Sequence, residues 1–143
     1  MALAIWLTLV CSTGCASNND IALEKVHHTS EYLNCDKVFA NTRKDIIELN
    51  EILLQTGNID TLENATLKAA VIHVKGKQLF LNLLSTVNQH GEITETYAGK
   101  GYKLELKYQT ETLHNSIIYY GTCQVWNGKL HTKLKVEGTI NNL

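Results

Sequence analysis

The chain has 143 residues, 44% hydrophobic and 19% charged, with a formal net charge of −1. This composition fits one folded domain and argues against both a disordered tail and a strongly basic nucleic-acid binder. No apolar run reaches the ~20 residues that a membrane-spanning helix needs. In chain order, Met1 to Val10 comes first: MALAIWLTLV is uncharged and apolar, too short to cross a bilayer but suited to the hydrophobic region of a secretory signal.

Ser12-Thr13-Gly14-Cys15 follows this run. It resembles the lipobox of bacterial lipoproteins, although Ser12 stands where that family most often has Leu. The resemblance implies a signal peptide over 1–14 and acyl chains, palmitate among them, on Cys15 as the new N-terminus. Ala16 is not the Asp that retains such proteins in the inner membrane, so the resemblance implies the outer membrane, facing the periplasm. Residues 15–30 then make a lipidated N-terminus with a polar tether, and 31–143 a single periplasmic domain. Two other readings stay open: cleavage after Ala16 to give a secreted protein, and an uncleaved N-terminal helix or strand.

With Cys11 lost and Cys15 acylated, two cysteines remain, Cys35 and Cys123. An even count in an oxidising compartment predicts a disulfide. A loop of this length makes the bridge worth roughly 4–5 kcal/mol on the chain-entropy picture. The alternative is two unrelated buried thiols. No CxxC is present, so neither a redox motif nor a paired-CxxC zinc site is supported.

Val38, Phe39, Thr42, Ile46, Leu49 and Leu53 recur at spacings of three and four, which predicts an amphipathic helix capped by Asn34 or Asp36 and ended by Gly57. From about Lys68 the pattern turns to strands. AAVIHV and LFLNLLSTV flank a turn at Lys75 to Gln78, a second turn covers Asn88 to Gly91, and Gly99-Lys100-Gly101 closes another. Lys103, Glu105 and Lys107 alternate with Leu104, Leu106 and Tyr108, as in a half-buried strand. Asn127-Gly128 predicts a two-residue type I′ turn pairing Trp126 with Lys129, Val125 with Leu130 and Cys123 with Thr132. The expected fold is therefore α+β: one amphipathic helix packed on an antiparallel meander, with Cys123 facing the core.

Charge is uneven along the chain. Cys15 to Glu63 holds nine acids and four bases, whereas Asn64 to Leu143 holds five acids and nine bases. On the last hairpin, Tyr120 and Trp126 fall on the wet face beside Lys129, His131, Lys133 and Lys135. A mixed aromatic and basic surface of this kind suits protein or glycan recognition. Ordinary cross-strand packing of solvated side chains is the competing account. GxSxG, HExxH and P-loop motifs are absent, and the adjacent His27-His28 pair is poor geometry for a metal. The sequence thus points to a non-enzymatic binding protein without catalytic residues, metal or cofactor. Candidate roles are an inhibitor or immunity-type protein, or an accessory of envelope assembly. Its expected partners are the membrane, through the acyl chains, and an envelope protein or glycan. The alternative is a small hydrolase acting on envelope carbohydrate.

Overall fold

In the computed structural model, residues 20–26, 32–44, 46–60, 63 and 65–141 are described. Among them are eight strands: β1 (Leu33–Ala40), β2 (Ile52–Asp60), β3 (Thr66–Val74), β4 (Lys77–Gln89), β5 (Glu92–Gly99), β6 (Tyr102–Leu113), β7 (Ser116–Asn127) and β8 (Leu130–Ile140). Each pairs antiparallel with the next, and β8 returns to β1, so the sheet closes into an up-and-down barrel.

The α+β expectation is overturned: the domain is nearly all β, and no amphipathic helix is present among the described residues. The segment read as that helix consists of β1, a connection with one 3-10 turn at Leu49–Glu51, and the start of β2. The cause is burial on both faces. Phe39 and Leu54 point into the barrel, while Val38, Ala40 and Ile52 pack outside it with Val26 and Ile47. Strands buried on both sides lose the alternation that marks a strand. Bulges at Asp36 and Leu53 blur it further. Gly57 does not end a helix: it lies within β2 opposite Cys35, where an added Cβ would meet the Asn34 carbonyl oxygen at 2.2 Å.

The later strands follow the expected order. Four of their two-residue turns have positive φ at both residues, namely Lys75-Gly76, His90-Gly91, Lys100-Gly101 and His114-Asn115, as type I′ turns require. The last turn differs. Asn127 pairs with Leu130, Trp126 with His131 and Cys123 with Leu134, so the turn residues are Gly128-Lys129. Gly128 alone has positive φ (59°), the arrangement of a type II′ turn with glycine first. The register is shifted by two from the expected one, so every side chain keeps its expected face.

Inside the barrel, Phe39, Tyr108 and Tyr119 form an aromatic trio with ring centroids 5.5–6.1 Å apart. Each ring sits opposite a glycine on the neighbouring strand: Phe39 and Tyr119 opposite Gly138, Tyr108 opposite Gly121. Residues 20–26, within the segment expected as a polar tether, form a strap across one end of the barrel. The Glu24 amide donates to the His73 carbonyl and the Val26 amide to that of Ile52, both at 2.8 Å. Ile21 and Leu23 join the apolar core there.

A Cβ on Gly138 would lie 2.5 Å from the Phe39 ring. Gly138→Ala should therefore cost about 1–3 kcal/mol through overpacking, read as a lower urea midpoint. Phe39→Leu in the same background should recover part of the loss. A wild-type midpoint for Gly138→Ala would contradict this packing.

Candidate functional site

Alternation on β6, β7 and β8 places every second side chain outside. Leu104, Leu106, Cys123, Val125, Leu134 and Val136 belong to the core, so their sequence neighbours face out. The register then stacks cross-strand rows: Lys103–Trp126–His131, Glu105–Gln124–Lys133, Lys107–Thr122–Lys135 and Gln109–Tyr120–Glu137. Five of the six residues proposed from sequence as a surface, Tyr120, Trp126, His131, Lys133 and Lys135, share this face; Lys129 lies beyond it, in the turn.

The rows are tied laterally. The Lys103 ammonium lies 5.3 Å from the Trp126 ring centroid, a cation–π distance. His131 stacks on Trp126 at 5.0 Å and 15°, and its Nε2 meets the Gln124 side-chain oxygen at 3.1 Å. Tyr120 donates to the Gln109 side-chain oxygen at 3.0 Å. A shallow groove of about 160 Å³ runs beside Tyr120, lined by Glu92, Lys107, Gln109 and Thr122. Lys103 and Lys107 were legible as a wet strand face, but nothing local gave the register that sets them beside Trp126 and Thr122.

A second polar cluster lies inside the barrel, and sequence reasoning missed it. The Glu95 carboxylate is 2% exposed and accepts from Lys68 (3.1 Å), Tyr108 (2.8 Å) and Tyr97. Near it, Thr56 donates to Asp36 at 2.9 Å, and the Lys37 ammonium sits 5.7 Å from the Tyr119 ring centroid. Glu95 shares the inward face of β5 with Ile93 and Tyr97, a signal readable only once β5 is known to line a closed lumen. Desolvation first, and then Glu95, pushes the Tyr97 and Tyr108 hydroxyls well above the ordinary tyrosine value. A hydrolase would need a pocket with convergent ionisable groups. Here the groups converge, but the central carboxylate is spent on three donors.

The expected Cys35–Cys123 disulfide is not present: both are free thiols. Cys35 packs on the outer clusters beside β1 to β3, whereas Cys123 lies in the lumen on β7, so the barrel wall separates their side chains. Burial pushes the Cys123 thiol up to about 12. Burial, reinforced by Asp36, takes Cys35 to about 11. The lipobox with Cys15 and the His27-His28 pair lie outside the described residues. No group of three or more metal-ligating side chains occurs among the described residues. Comparisons with protein families, curated proteins and solved structures find no match to this chain.

Glu95→Gln should cost roughly 2–4 kcal/mol, because it strips the charge from a buried, multiply bonded acceptor. The tyrosines add a pH signature. Their folded values lie above the unfolded value of ~10, so the stability they contribute is complete below pH ~10 and is lost as pH rises beyond it. Urea midpoints should fall more steeply above pH ~10 in the wild type than in Tyr97→Phe/Tyr108→Phe. Parallel curves would refute this assignment.

Proposed function

We propose that the protein is a lipoprotein held to the outer membrane through acylated Cys15, and that its barrel is a non-enzymatic binding domain for an acidic protein partner in the envelope. An inhibitor or immunity-type role, or service in an envelope assembly, fits such a domain. The observation that carries the reading is the Lys103–Trp126–His131 row with the Lys133 and Lys135 rows beside it. A rigid aromatic held between Lys103 and His131 supplies the anchor of a typical interface, and the flanking lysines supply steering toward acid. Closure supports the choice of side chains over backbone. A closed sheet leaves few unpaired strand edges, which disfavours recognition by strand addition.

Two measurements test the reading. The intact mass of membrane-extracted protein should equal Cys15 to Leu143 plus acyl chains, and Cys15→Ala should abolish that species. Trp126→Ala/Lys133→Ala should weaken capture of the envelope partner by at least about tenfold, the scale of one interface anchor, while urea stability stays near wild type. A soluble product beginning after Ala16 would replace the anchored form with a secreted one. Undiminished capture by the double variant would remove this face from the interface.

A further inference from the structure

The antiparallel meander puts the β1–β2 connection (41–51) and the β3–β4, β5–β6 and β7–β8 turns at one end of the barrel and the β2–β3, β4–β5 and β6–β7 turns at the other. In that connection Lys44 is paired with Glu51 and Arg43 with Glu111, so its bases are already matched by acids. Each two-residue turn at the first end carries a lysine: Lys75-Gly76, Lys100-Gly101 and Gly128-Lys129, with Lys77 beside the first. All four lysines are exposed. At the other end the turns are His90-Gly91, His114-Asn115 and the Glu63-bearing connection 61–65, with no lysine. His90 and His114 meet the same positive-φ demand as Lys75 and Lys100. Backbone geometry therefore does not select lysine at the first end.

The N-terminal strap crosses that same lysine-bearing end. Asp20, Ile21, Ala22 and Glu24 line one cavity with Lys75, Tyr102 and Leu130, residues from or next to all three turns. Glu24 spends its carboxylate on the Gly76 amide at 2.8 Å, which leaves Asp20 as the strap's other acid. Five chain steps lead from Cys15 to Asp20, so an anchor at Cys15 sits no more than about 17 Å of chain from Asp20. With Cys15 anchored, that reach keeps Asp20, at the lysine-bearing end, within about two Debye lengths of a bilayer at physiological salt.

We infer that the lysine-turn end of the barrel docks on an anionic lipid surface, with Lys75, Lys77, Lys100 and Lys129 against the headgroups. This orients the β6–β8 face sideways, clear of the membrane. The inference rests on the anchored reading for its tether, but the lysines are a property of the barrel itself. The test is sedimentation of the full-length Cys15→Ala chain with vesicles, either neutral phosphatidylcholine or phosphatidylcholine with one third phosphatidylglycerol. Because the neutral vesicles report any contribution of the apolar N-terminus, the anionic excess isolates the lysines. Lys75→Gln/Lys100→Gln/Lys129→Gln should lower that excess roughly a hundredfold, about fivefold per lysine. High salt should abolish the excess in the parent chain. Lys107→Gln/Lys133→Gln/Lys135→Gln, on the barrel side, should change it far less.

Equal binding to both vesicles, or an anionic excess that survives the turn substitutions in a folded variant, would overturn the orientation. A turn-dependent excess in a chain that proves unacylated in cells would leave the docking end standing and remove the anchor.

Discussion

The structure depends on closing the barrel between β1 and β8. That seam is short: four residue pairs, Lys37 to Ala40 against Glu137 to Ile140. The Asn141 amide extends it by donating to the Asp36 carbonyl at 2.9 Å, and the Asn141 side chain reaches the Cys35 carbonyl at 3.3 Å. The Phe39–Gly138 pair lies inside the seam, where the missing Cβ makes room for the ring. Closure gives the sheet an inside, and every later distinction between buried and wet faces follows from it.

The lumen is graded along its length. Near the strap it is apolar, with Val74, Leu79, Tyr102 and Leu130 meeting Ile21 and Leu23. Toward the far end it takes Lys68, Glu95, Tyr97 and Tyr108. A buried carboxylate is tolerable only when its oxygens are occupied, and the three donors occupy them. The bulge at Asp36 serves the same end: it makes Asp36 the extra residue beside Lys37, within reach of Thr56. Polar satisfaction and strand irregularity are thus two sides of one arrangement.

Where strands have one wet face, their order and facing were legible in the sequence. Lys103, Glu105 and Lys107 declared β6, and the Leu130 to Val136 alternation declared β8. The two-residue slip in the final hairpin arose because Asn127-Gly128 satisfies type I′ chemistry while the chain turns one residue later, at Gly128-Lys129. Parity survived, so the strand residues of the last hairpin keep their expected faces with different partners, while Lys129 falls in the turn. The first two strands were not legible. Ile52 to Gly57 are all buried, and Ile46 to Leu54 is apolar enough to fit a helical stripe. The disulfide expectation failed with them: once Cys35 belongs to β1 and not to a helix lying over the sheet, its side chain falls on the outer clusters, away from Cys123.

The two polar groupings differ in what they leave available. Inside, Glu95 is saturated and Lys68 is tied to it, so the cluster contributes rigidity. Outside, Lys133 and Lys135 are exposed and flank a tryptophan whose ring is fixed between Lys103 and His131. An immobilised aromatic loses little entropy when it binds, and that preorganisation is what the proposed recognition surface has beyond solvated lysines alone. The barrel supplies this rigidity through the same inward packing of Val125 and Cys123 that fixes the backbone of β7 on either side of Gln124. The lumen and the outer face are coupled in this sense: the residues that fill the inside determine how firmly the outside is held.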